Sequence, residues 1–124
     1  MTRFDRSDGI AALLSATLVL AAGALGLAEY AGAHPFWSGK VVYIGVPLGL
    51  ILAWAMRRAG VGRGMRLGLY LLGTVLLVLL AFWGKAQFAA SFAEDRFAGQ
   101  VWYFGWIGVA MFATALLARL LSRN

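Results

Sequence analysis

A chain of 124 residues that is 62% hydrophobic and only 13% charged is excluded from the ordinary soluble class, where charged residues make up about 25%. A bilayer core about 30 Å thick takes about 20 mostly apolar residues per helix, so this length allows four spans, short loops and no separate catalytic domain. The net charge of +6 suits anionic lipid headgroups rather than nucleic acid, because the basic residues sit beside apolar runs, and the absence of cysteine removes disulfide and thiolate chemistry.

The N-terminus is short and mixed in charge, with Arg3, Asp5, Arg6 and Asp8. Ser7 or Asp8 is the expected N-cap of a first span over residues 9–33, since either side chain can accept from the free amides of a first turn. The run ends in Ala31, Gly32 and Ala33, small residues of the kind found at a signal cleavage site. Its length exceeds the apolar core of a signal peptide, about 7–15 residues, so a retained span is expected. Within it, Ala11, Ser15, Ala22, Gly26 and Ala33 share a narrow helical sector with Glu29.

Pro35 and Gly39 break the chain in a first loop that also carries His34 and Trp37. The second span is expected over residues 38–56, with Pro47 loosening its first part. Gly45, Gly49 and Ala53 recur every fourth residue there and form the clearest small-residue face for close helix packing.

Arg57, Arg58, Arg63 and Arg66 follow, interleaved with Gly60, Gly62 and Gly64. The glycines lack the Lys–Ser/Thr signature of a phosphate loop. Flanked by apolar runs, this is read as a cytoplasmic basic loop. The third span, residues 66–84, is the most apolar and offers Gly73 alone as a small packing residue.

Between residues 85 and 100 Phe88, Ala89 and Phe92 oppose Gln87, Ser91 and Glu94 at helical spacing. Either an amphipathic interfacial helix or an extension of the third span fits, with a polar end at Glu94–Asp95–Arg96 and a break at Gly99. The fourth span covers residues 101–121, with Ala110, Thr114 and Ala118 as its small face.

The sequence therefore reads as one all-α membrane domain over residues 1–124, a compact bundle of four transmembrane helices. Eight of the eleven basic residues lie at the termini and central loop, against Lys40, Lys85 and Arg96 on the other side. That bias places both termini in the cytoplasm of a prokaryotic-type inner membrane. Carboxylates within a span are often ion or proton sites, but no acid lies at mid-span; Glu29 is near an end. One histidine cannot build a haem or zinc site without a partner chain, and Glu94 and Asp95, being adjacent, point apart on a helix. No cofactor, metal or enzymatic activity is expected. The expected role is a small accessory or assembly subunit that packs against the bilayer and against other membrane subunits or itself. The alternative is a homo-oligomeric transporter or channel using Glu29, His34 and Lys40 at its outer mouth.

Overall fold

The computed structural model describes residues 6–26 and 38–122. Those residues form four helices and no strand: α1 (Arg6–Ala24), α2 (Ser38–Arg58), α3 (Arg63–Ala90) and α4 (Arg96–Leu121). All four are long and apolar enough to cross a membrane. At 1.5 Å per residue the 28 residues of α3 reach about 42 Å, more than the hydrocarbon core alone requires.

The boundaries depart from the sequence reading in physically intelligible ways. α1 starts before Gly9 and stops at Ala24, well short of residue 33. Its stop is Gly26, which takes φ +79° and donates its N–H to the Gly23 carbonyl at 3.0 Å. A left-handed residue just beyond the last turn ends a helix in this way. Residues 27–37, with Glu29 and His34 among them, lie outside the described residues. Helix α2 runs through Pro47 as a continuous element.

The segment after residue 84 is an extension of α3 to Ala90, not a separate interfacial helix. Gly99 is not a break; it lies inside α4, where an added Cβ would sit 2.9 Å from the Phe88 ring. The tight reversal between them is held by Phe92 N–H donating to the Ala89 carbonyl and Ala93 N–H to the Phe88 carbonyl. This is the paired closure of a Schellman turn. Phe92 and Ala93 both carry positive φ, 55° and 67°. Asp95 then caps α4 by accepting from the Ala98 amide at 3.0 Å. The turn between α2 and α3 repeats the device with a glycine at the left-handed position. Gly60, at φ +79°, donates to the Arg57 carbonyl and Val61 to the Met56 carbonyl.

Helix α4 is the hub. It packs against each of the other three helices, while α1 also meets α2. Its Trp102, Trp106 and Ile107 join Val41, Val42 and Val46 of α2 and Ala81 of α3 in the core. Close approach depends on missing side chains. A Cβ on Gly45 would lie 2.8 Å from the Ile107 carbonyl oxygen, and one on Gly49 would collide with the Met111 carbonyl. On α3, a Cβ at Gly84 would lie 2.6 Å from the Trp102 nitrogen, and at Gly73 the same distance from the Phe112 ring. Gly105 fits over Ala81 and Gly108 over Leu77, so α3 and α4 pair antiparallel through small residues along their length. Buried hydroxyls bond within their own helices, Thr114 to the Ala110 carbonyl at 2.8 Å and Ser15 to the Ala12 carbonyl at 3.0 Å. That leaves no orphan polar group at those core positions.

Candidate functional site

The start of α1, the α2–α3 turn and the end of α4 meet at one end of the bundle, where the chain concentrates its arginines. Asp8 is not an N-cap. It lies in the first turn of α1, only 5% exposed, and its Oδ1 accepts from Arg57 Nη1 at 2.5 Å and from Ser122 Oγ at 2.6 Å. One carboxylate oxygen thus ties the beginning of α1 to the ends of α2 and α4. Each charge also suits its helix terminus, the anion at an N-terminus and the arginine at a C-terminus.

The basic stretch does not form a uniform loop. Arg57 and Arg58 occupy the last turn of α2, Arg63 and Arg66 the first turns of α3, and only residues 59–62 connect them. Their side chains divide by direction. Arg57 (7% exposed) and Arg66 (5% exposed) turn inward, whereas Arg58 and Arg63 are exposed. The Arg58 guanidinium stands 5.8 Å from the centroid of the Trp54 ring, a distance suited to cation–π attraction. From α4, Arg119 is buried and donates through Nε to the Arg63 carbonyl at 3.1 Å.

Beside these groups lies a half-open cavity of about 220 Å³ to which all four helices contribute. Asp8, Arg57, Arg66, Tyr70, Arg119 and Ser122 supply its polar lining, and Leu50, Ala53 and Trp54 part of its apolar wall. Tyr70 is the largest fully buried side chain, 1% exposed, and its hydroxyl has no hydrogen-bond partner among the described residues. Burying a hydroxyl without a partner costs about 1–3 kcal/mol. The lining carries three guanidiniums against one carboxylate. It holds no histidine or cysteine, and among the described residues no group of three metal-ligating side chains exists. Its accessible surface is nonetheless mostly apolar.

A second cavity, about 250 Å³, lies between α1, α2 and α4. Its lining is apolar, includes Ala22, Gly23 and Val42, and ends on Trp106, whose indole N–H is buried without a hydrogen-bond partner among the described residues.

The residues singled out in the sequence fall as follows. Gly45 and Gly49 sit at the α2–α4 crossing and Ala53 on the wall of the first cavity. Ala22 lines the second cavity, where the tight contact belongs to its neighbour Gly23, whose Cβ would lie 2.6 Å from Val42. At Gly26 a Cβ would meet nothing within 4 Å among the described residues. Lys40 is exposed in the first turn of α2, while Glu29 and His34 lie outside the described residues. The sequence reading took Asp8 for a cap and did not bring Asp8, Tyr70, Arg119 and Ser122 together in one cluster. The available signal was helical spacing: Arg66 and Tyr70 are one turn apart on α3, and Ala115, Arg119 and Ser122 follow one face of α4.

Comparison with known proteins assigns no family: no family model, curated protein or solved structure matches this chain.

Proposed function

We propose that the chain is a four-span integral protein of a prokaryotic-type inner membrane. Both termini and the α2–α3 turn face the cytoplasm, and the protein serves without catalysis as a small subunit in a larger membrane assembly. Four apolar helices with outward leucines, such as Leu13, Leu14 and Leu18 on α1 and Leu71, Leu72 and Leu79 on α3, support residence in lipid. The concentration of arginine at one end of the bundle supports the orientation.

The assembly role rests on the outer face of α1. Thr17, Ala21 and Ala24 are exposed at intervals of four and three residues, one helical face of small side chains left uncovered by the described helices. Lipid gains little from such a face, whereas a second helix gains close backbone approach. Thr17 already satisfies its hydroxyl on the Leu13 carbonyl at 2.8 Å, so it brings no polar cost to an apolar contact.

Purification of the native protein in mild detergent, followed by mass spectrometry, tests this. The expected result is stoichiometric recovery of another membrane chain, lost in Ala21→Leu while the variant keeps the wild-type melting temperature. Recovery of the chain alone, or an association unaffected by Ala21→Leu, contradicts the assembly role.

A further inference from the structure

We propose that the outward face of α2 at the arginine-rich end is a docking surface for an anionic phospholipid, its phosphate at Arg58 and an acyl chain along the residues before it. Ile44, Leu48, Ile51, Trp54 and Arg58 follow one another at intervals of four, three, three and four residues, which keeps them on one side of a helix. The first four are 41–60% exposed, and Arg58 is exposed as well. At 1.5 Å per residue, roughly 15 Å of apolar face from Ile44 to Trp54 leads toward the α2–α3 turn. It ends in an indole and then a guanidinium. A bilayer presents acyl chain, interfacial zone and headgroup in the same order, and tryptophan favours the middle one.

The end of this face suits an oxygen acceptor. The Arg58 guanidinium stands 5.8 Å from the centroid of the Trp54 ring. A ring attracts a cation through its π electrons and offers no oxygen, so the contact positions the guanidinium without supplying an oxygen acceptor to its N–H donors. Such a planar fork matches the oxygens of a phosphate, often two at a time. In the adjoining turn, a Cβ at Gly60 or Gly62 would meet nothing within 4 Å among the described residues, which leaves room for a headgroup.

Charge selects the kind of headgroup. Among the described residues this end holds six arginines, Arg6, Arg57, Arg58, Arg63, Arg66 and Arg119, and one carboxylate, Asp8. However these groups pair with one another, the end is net positive. A zwitterionic headgroup brings its own cation into that field, whereas an anionic one brings net negative charge. The inference rests on the reading that these helices cross a membrane and does not require the assembly role.

The test reconstitutes the full-length protein in phosphatidylcholine nanodiscs with a minority of phosphatidylglycerol. After release into mild detergent, native mass spectrometry compares the retained lipid with the composition of the disc. Wild type is expected to retain phosphatidylglycerol beyond its share. Arg58→Gln should cut that enrichment about fivefold, the worth of one basic residue close to an anionic surface, with an unchanged melting temperature in pure phosphatidylcholine discs. Arg58→Lys, which keeps the charge and loses the fork, should fall between. Trp54→Leu, which keeps an apolar wall and removes the ring, should also lower the enrichment. Lys85→Gln removes an exposed cation from the opposite end of the bundle and should leave it intact. Retention in proportion to the disc, undiminished enrichment in Arg58→Gln, or equal losses in Arg58→Gln and Lys85→Gln overturns the proposal. A dimer that Trp54→Leu dissociates, without lipid enrichment, assigns the face to a second copy and overturns it too. Failure of the protein to enter discs contradicts the membrane reading itself, and the docking surface with it.

Discussion

Asp8 shows how much one side chain near a terminus can organise. Its carboxylate joins three helix ends, and both it and Arg57 are withdrawn from water. Removing one member of a buried ion pair leaves the other uncompensated and costs about 3–5 kcal/mol. Asp8→Ala is therefore expected to lower the melting temperature of the detergent-solubilised protein sharply. Ser122→Ala, which removes one hydrogen bond to a charge, should cost about 1.5–3 kcal/mol. An unchanged melt for Asp8→Ala would show that the pair does not hold the helix ends. At the opposite end Phe92 is 91% exposed and sits at the left-handed position of its turn. An L-residue there carries a penalty of about 1–2 kcal/mol that glycine escapes. Phe92→Gly should raise stability by about 1 kcal/mol in thermal melts, and a loss of stability would mean that the exposed ring makes a contact beyond the described residues. Neither residue announced its role in the sequence. Asp8 reads as a cap because Ser, Thr, Asn and Asp before an apolar run usually are caps. Only the fold brings Arg57, 49 positions away, and Ser122, 114 positions away, to its carboxylate.

At the scale of the helix, glycine has opposite meanings that spacing alone does not separate. Gly49 faces α4, where a Cβ would collide with the Met111 carbonyl and lie 2.7 Å from Thr114 Cβ, whereas Gly68 of α3 faces open space. Gly49→Leu should cost at least about 1–3 kcal/mol by forcing the α2–α4 contact apart. Gly68→Ala should gain about 0.5–1 kcal/mol through helix propensity. Paired thermal melts check both signs at once, and equal effects would remove the distinction between packed and open glycines. The every-fourth-residue recurrence at Gly45 and Gly49 marked a small face, but Gly84, Gly105 and Gly108 at the α3–α4 contact follow no such repeat within one helix. Each matches a specific bulky or backbone group opposite it, which no single helix reveals. Helix ends were similarly hard to read. The left-handed closure at Gly26 stops α1 early, while Phe92 closes α3 at a residue that offers no glycine signal.

For the whole molecule, composition and hydropathy sufficed to indicate four apolar helices because each carries its own signal within about 20 contiguous residues. The placement of α4 at the hub, with α2 and α3 adjacent in sequence but both packed on α4, is a matter of tertiary contact and leaves no comparable mark. The same holds for the inward cluster. Arginine count predicts which end is basic, but not that Arg57 and Arg66 turn inward while Arg58 and Arg63 turn out. The account as a whole depends on these helices crossing a membrane with the arginine-rich end in the cytoplasm. Because the native chain contains no cysteine, single cysteines at Gly62, where a Cβ meets nothing, and at exposed Phe92 report on the two ends directly. With a membrane-impermeant maleimide on intact spheroplasts, Phe92→Cys is predicted to label at once and Gly62→Cys only after the membrane is breached. Labelling of Gly62→Cys in sealed spheroplasts, with Phe92→Cys protected, would contradict the orientation, and equal labelling of both in sealed spheroplasts would contradict the crossing arrangement itself.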